Sequence, residues 1–208
     1  GSSSAKTLVA GSRRIALAGA PNAGKTSIYN ALTGLHAKTG NYPGVTVQRS
    51  LGTCKIGNTT LTIEDLPGAY SLDPISPDEQ VVRDVLTDAS ETVSVPDALV
   101  VVIDATTLRR GMNFVAEALA LDLPTCLVVT MTDELTRRAG RPDVAALGQA
   151  LGIPAVRVVG NRGIVIPELR EHLTEIPDWQ SPPLPAPTSP SVLGPWADSH
   201  LDAAHHLH

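Results

Sequence analysis

Short apolar runs alternate along this chain with segments whose apolar positions recur every three or four residues, the spacing of a helix with one buried face. The runs at Arg14–Ala18, Thr60–Glu64, Leu99–Ile103, Cys126–Thr130 and Ala155–Val158 are predicted strands, and a further strand is expected within Val45–Lys55. Helices are predicted over Lys25–Thr33, Asp78–Thr87, Gly111–Leu121, Val144–Leu151 and Val165–Leu173. Strands and helices alternating in this way build an α/β fold, here a mostly parallel six-stranded sheet flanked by helices on both faces. Ligands of such sheets bind beyond the carboxyl ends of the strands. From Ser181 the pattern stops. Pro182, Pro183, Pro185, Pro187, Pro190 and Pro195 forbid a continuous helix and favour an extended spacer, so a linker leaving the domain is expected over residues 179–208.

The first strand and first helix are joined by Gly19-Ala-Pro-Asn-Ala-Gly24-Lys25-Thr26, which matches G-x-x-x-x-G-K-[ST] in the strand-to-helix context that the motif requires. The glycines let backbone N–H groups wrap a phosphate chain, and the helix N-terminus adds a favourable partial charge. Lys25 is expected to reach the β and γ phosphates and Thr26 to offer its hydroxyl to Mg²⁺, with Pro21, Asn22, Ala23, Gly24 and Ser27 lining the same ligand. A nucleoside triphosphate is the expected ligand. Asp65-Leu-Pro-Gly68 ends the third predicted strand, where an acidic residue holds Mg²⁺, commonly through water, and a glycine N–H meets the γ-phosphate. Thr46, in the intervening loop with Gly44 and Val45, is placed to complete Mg²⁺ coordination and sense the γ-phosphate. Thr130-Met131-Thr-Asp133 closes the fifth strand, where a carboxylate can accept hydrogen bonds from the ring N–H and amino group of guanine. Adenine offers no such donor pair.

Composition narrows the picture. The 208 residues suffice for one sizeable core, read as a domain over residues 13–178 after an extension over 1–12 whose Gly1-Ser-Ser-Ser4 resembles a vector-derived scar. A net charge of −5 provides no chain-wide basic field to hold nucleic acid or an anionic membrane. Cys54 and Cys126 lie in apolar or strand-like runs and are expected to be buried hydrophobes, with a reducing compartment as the default. No apolar run approaches the ~18 residues of a membrane helix.

The phosphate loop, Gly40-Asn-Tyr-Pro-Gly-Val-Thr-Val47, Asp65-Leu-Pro-Gly-Ala-Tyr-Ser-Leu72 and Pro77-Asp-Glu-Gln-Val-Val-Arg-Asp84 together resemble the cytosolic G domain of the ferrous iron transport protein B family. The resemblance implies a Ras-like P-loop GTPase domain at the N-terminus of a polytopic inner-membrane protein that takes up Fe²⁺. Its partners would be GTP or GDP and the membrane region of the same protein, with homo-oligomers allowed. It also implies that Asn22, helped by backbone carbonyls near Gly40 and Tyr42, coordinates a K⁺ ion that offsets charge developing on the phosphates. Catalysis would then rest on Asn22, Lys25, Thr46 and Gly68. Ala69 stands where Ras-type enzymes place a water-orienting glutamine, so first-switch backbone near Thr46 is expected to position the water, and hydrolysis is expected to be slow without K⁺. Two departures from the family pattern bear on the base. Thr130 replaces the usual asparagine, and Val159-Gly160-Asn161-Arg-Gly163 lacks the Ser-Ala that steadies the purine, which leaves a relaxed NTPase open. A binding switch with negligible turnover and a ribosome- or RNA-associated GTPase are the other readings.

The remaining polar clusters have plainer readings. His200, Asp202, His205, His206 and His208 suit a residual tail, Arg109-Arg110 a solvated helix start, and Asp78, Glu79, Arg83 and Asp84 an exposed helix face.

Overall fold

The computed structural model describes residues 13–34, 36–131, 143–159, 167–176 and 195–199. Seven strands form one sheet: β1 (Arg13–Gly19), β2 (Ala37–Asn41), β3 (Gln48–Ile56), β4 (Thr59–Asp65), β5 (Ala98–Asp104), β6 (Thr125–Met131) and β7 (Ala155–Val159), in the order β2-β3-β4-β1-β5-β6-β7. The pairs β1/β4, β1/β5, β5/β6 and β6/β7 are parallel, whereas β2/β3 and β3/β4 are antiparallel. The expected α/β architecture is present, with seven strands rather than six. The additional strand is β2, whose Ala-Lys-Thr-Gly-Asn is exposed at every position and so carries no apolar signal. The strand expected within Val45–Lys55 is β3 and begins at Gln48, because residues 42–47 form the turn that joins it to β2.

Alternation along the central strands divides the core into two layers. Ile15, Leu17, Ile63, Val100 and Val128 pack on one face with Ile28, Tyr29 and Leu32 of α1 (Lys25–Thr33) and with Leu169 and Leu173 of a fifth helix, Pro167–Thr174. Ala16, Ala18, Val101, Leu127 and Val129 pack on the other against α2 (Pro77–Leu86), α3 (Leu108–Leu119) and α4 (Val144–Leu151), through Val82, Val85, Met112, Val115 and Leu147. The Pro167–Thr174 helix of the first layer is α5. Each fully buried Leu or Ile contributes about 1.5–3 kcal/mol by leaving water. Both layers therefore clamp β1, and with it the start of the phosphate loop.

Local sequence sets the helix ends. Ser76 caps α2 by accepting the Glu79 N–H at 3.2 Å, with Pro77 in the first turn, and Asp143 caps α4 through the Ala146 N–H at 2.9 Å. α3 starts three residues before the predicted Gly111, after a 3₁₀ turn at Ala105–Thr107 that Asp104 caps by accepting from the Thr106 N–H at 2.8 Å. Cys54 and Cys126 are both buried and free, as expected of small hydrophobes. Residues 195–199 form a helical turn that lies against the domain rather than leaving it. Ala197 is fully buried, Trp196 packs on the core, and the Arg109 Nε is 3.3 Å from the Asp198 carboxylate. Among the described residues no helix is long and apolar enough to cross a membrane.

Candidate functional site

β1 is the point where the strand order reverses, with β4 on one side and β5 on the other, so a crevice opens at its carboxyl end. The phosphate loop occupies that crevice. Gly19 is packed so closely on β5 that a Cβ would stand 2.3 Å from the Val102 carbonyl oxygen. Gly24 adopts a left-handed conformation, φ 87°, which favours glycine, and it caps α1 without any side-chain hydrogen bond. The first-turn N–H groups of α1 therefore remain available to an anion. Pro21, Asn22, Thr26 and Ser27 are exposed, Ala23 is buried, and Lys25 is only 4 % exposed. The Lys25 ammonium donates to the Asp65 carboxylate and, at 2.6 Å, to the Leu66 carbonyl.

The Asp65–Gly68 turn is tied to the same loop. The Leu66 N–H donates to the Leu17 carbonyl at 3.1 Å and the Ala69 N–H to the Gly19 carbonyl at 2.9 Å. Gly68 sits against Pro21, where a Cβ would come within 2.6 Å of the proline ring. Ala69 is buried, so no side chain at this position can orient an attacking water. Downstream, α2 and α3 hold the segment after Gly68 through two carboxylates, Glu79 and Glu117, that charge pattern does not mark as inward-facing. Glu79 is buried rather than on an exposed face, and it accepts from the Tyr70 N–H at 3.2 Å and the Ile75 N–H at 3.3 Å. Charge pattern alone misplaces Glu79, because the two loop amides that draw it inward are four and nine residues away and unreadable from helical spacing. Glu117 of α3 accepts from the Ser71 hydroxyl at 2.8 Å and the Leu72 N–H at 2.7 Å. The Arg110 guanidinium lies 4.1 Å above the Tyr70 ring.

The segment expected to act as the first switch is the turn between β2 and β3. Because Ser50 pairs with Asp65 and Thr39 with Ser50, this turn lies at the carboxyl end of the parallel strands, beside the phosphate loop. Gly44, Val45 and Thr46 are exposed between two buried anchors, Tyr42 and Val47, and Gly40 lies in β2. The Tyr42 N–H donates to the Val47 carbonyl at 2.9 Å, and the Tyr42 carbonyl, expected to face a K⁺ ion, accepts from the Val45 N–H at 3.3 Å. Asn22 lines a cavity of 290 Å³ that runs between the phosphate loop, Asp104 and Arg110. Burial, and secondarily the Asp65 charge, raises the pKa of Tyr29, one helical turn beyond Lys25.

On the base side, the Thr130 hydroxyl donates to the Ala23 carbonyl at 2.7 Å and so supports the phosphate loop from beneath. Met131 is buried and pairs in register with the half-buried Val159, which brings the ends of β6 and β7 side by side. Asp133, Gly160 and Asn161 lie outside the described residues, as do His200, Asp202, His205, His206 and His208.

A lysine-bearing loop at the switch point of a mostly parallel sheet, knitted to an Asp-x-x-Gly turn and with a threonine-bearing hairpin at the same end of the sheet, defines a P-loop α/β domain of the G-domain class. The family model of ferrous iron transport protein B matches residues 13–173, and the chain belongs to that family. It is 39 % identical over 163 residues to the Fe(2+) transport protein A/Fe(2+) transporter FeoB fusion protein of Porphyromonas gingivalis, and 37 % identical over 163 residues to the Fe(2+) transporter FeoB of Leptospira biflexa. Each match covers 78 % of this chain but only 19 % and 23 % of the respective relative. Among solved structures, the G domain of T. maritima FeoB is 32 % identical with a TM-score of 0.66, covering 81 % of this chain and 98 % of that one. An S. thermophilus NFeoB mutant bound to GDP is 33 % identical with a TM-score of 0.69, covering 81 % of this chain and 61 % of that one. The cytosolic domain of T. maritima FeoB in its GMPPNP form is 33 % identical with a TM-score of 0.65, covering 78 % and 63 %.

Proposed function

We propose that this domain binds GTP and hydrolyses it to GDP and phosphate, and that the accompanying change in its switch segments regulates Fe²⁺ passage through a membrane region of the same protein. The observation that carries the reading is the arrangement of Lys25 against Asp65 beneath an uncapped helix N-terminus, the constellation that P-loop proteins use to receive a triphosphate. The related structures bound to GDP or in the GMPPNP form support a guanine nucleotide as the ligand. Lys25 would turn from Asp65 to the β and γ phosphates. The Gly68 N–H would meet the γ-phosphate, and backbone near Thr46 would orient the attacking water, a task that buried Ala69 cannot perform. Asp133, with Thr130, Met131 and the Val159–Asn161 loop, would hold the guanine.

The donor set fits Mg²⁺. One half-buried carboxylate, Asp65, and two exposed hydroxyls, Thr26 and Thr46, are hard oxygen ligands that leave positions for phosphate oxygens and water. Mg²⁺ bound there would neutralise charge on the transferring phosphoryl group. Asn22, exposed at the mouth of the loop, with carbonyls near Gly40 and Tyr42, would hold K⁺ for the same purpose.

Phosphate release from Mg·GTP in matched KCl and NaCl tests this reading. Turnover that rises in KCl, and an Asn22→Ala variant that keeps nucleotide affinity but loses the rise, are the expected results. Equal rates in both salts would remove the K⁺ assignment, and absence of turnover would favour a second reading, a nucleotide-binding switch, for which the buried Ala69 speaks.

A further inference from the structure

Glu64 precedes Asp65 on β4, yet it points to the opposite face of the sheet, and its side chain is fully buried. A lone carboxylate in such a place would be strongly disfavoured. This one is surrounded by donors from three other segments. Arg14 of β1 reaches it through Nε at 2.7 Å, Arg49 of β3 through Nε at 3.2 Å, and the Tyr42 hydroxyl of the first switch donates to it at 2.5 Å. Arg14 is itself braced by the Ser94 hydroxyl at 2.9 Å, and the Arg49 guanidinium lies 5.4 Å from the centre of the Tyr42 ring. Burial first, and then the Glu64 carboxylate, drive the Tyr42 pKa far above its ordinary value, which keeps this hydroxyl a donor at any working pH. No step in GTP turnover described above uses the Tyr42 side chain or Glu64.

Their position gives them a task. Tyr42 and Val47 are the buried ends of a turn whose centre, residues 43–46, is exposed, and the Tyr42 N–H closes that turn on the Val47 carbonyl. Fixing the Tyr42 ring therefore fixes the pose from which Thr46 is presented. We propose that Tyr42 and Glu64 form a latch that pre-orders the first switch, making both positioning residues for the triphosphate state as against the diphosphate state. The inference rests on the reading that Thr46 engages Mg²⁺ and the γ-phosphate. A loop held in place loses less conformational freedom when it closes on its ligand. GDP, which lacks the γ-phosphate, draws no benefit from that order.

The test uses the full 208-residue chain and fluorescent analogues of GMPPNP and GDP in Mg²⁺. Tyr42→Phe keeps the ring and removes only the hydroxyl, and Glu64→Gln keeps an acceptor for that hydroxyl while removing the charge. Tyr42→Phe is expected to weaken GMPPNP binding about five- to tenfold, less than the full worth of one hydrogen bond to a charged group because only the ordering of the loop is lost, and to leave GDP affinity within about twofold. Glu64→Gln is expected to shift the same ratio in the same direction by less. In a Thr46→Ala background the Tyr42→Phe effect on GMPPNP should vanish, because the latch acts through Thr46. Equal loss of both nucleotides in Tyr42→Phe would reveal a merely structural residue, and no loss of either would show that the bond positions nothing. Both results overturn the latch while leaving the GTPase reading intact. Failure of the unsubstituted chain to bind GMPPNP would instead overturn that reading and the latch together.

Discussion

Thr130 offers a sharp test of how the phosphate loop is supported. Its hydroxyl donates to the Ala23 carbonyl at 2.7 Å, with the Ile103 carbonyl more distant at 3.3 Å, and its methyl lies under Gly24, 3.3 Å from where a Cβ would stand. Thr130→Val keeps the shape and the methyl contact and deletes the hydrogen bond. The net bond is worth about 1 kcal/mol, and leaving a partly buried carbonyl unpaired adds a similar amount, so a loss of about 1–2 kcal/mol in unfolding free energy is expected. The carbonyl belongs to the loop that wraps the phosphates, so part of this loss should appear as weaker nucleotide binding. The upper bound is a rise in Kd of about thirtyfold, if all of it does. Urea unfolding followed by circular dichroism and titration with fluorescent GDP measure the two quantities on the same variant. Thr130→Ser, which retains the hydroxyl, should recover most of the affinity. A Thr130→Val protein within about 0.5 kcal/mol of the parent, and of equal affinity, would refute the claim that this hydroxyl supports the loop.

Other expected outcomes follow from the same geometry. Lys25→Ala should abolish triphosphate binding in equilibrium dialysis, since no other buried ammonium among the described residues faces the loop. Glu79→Ala strands the Tyr70 and Ile75 N–H groups and should cost about 2–3 kcal/mol in thermal unfolding, whereas Glu79→Gln, which keeps an acceptor, should cost markedly less. Burial pushes the Cys126 thiol up to about 12 and also raises Cys54, where the Arg170 guanidinium works against burial. Neither cysteine should react rapidly with a thiol reagent at pH 8 until denaturant is added. Because the Cys126 pKa is raised on folding, its stabilising contribution is complete below about pH 9 and is lost as pH climbs from about 9 towards 12, which pH-dependent unfolding should show as a decline on the alkaline side.

The phosphate loop was legible because its chemistry is local: two glycines, a lysine and a threonine within eight residues, between an apolar run and a helical pattern. The central strands were legible because burial removes polar residues from them. β2 was not, since Ala37–Asn41 gains its strand conformation from pairing with β3 and from no apolar face of its own. The inward turn of Glu79 and the convergence of Arg14, Tyr42, Arg49 and Glu64 depend on segments up to fifty residues apart. No periodicity within one element encodes such a meeting. The place of Thr130 in the base motif implies support for the phosphate loop, but the partner, the Ala23 carbonyl, becomes visible only when β6 is laid beside the loop.

The outermost strand has a consequence for how this domain opens. β2 is five residues long, wholly exposed, and bonded along one edge only in the seven-stranded order. Lys38 and the absence of apolar side chains beyond Ala37 make that edge a poor template for another chain, which guards against sheet-to-sheet association. The same features leave little to hold it against thermal fluctuation. Amide protons of residues 37–41 should therefore exchange through an opening far smaller than global unfolding, while those of β1 and β5 wait for the whole domain to unfold.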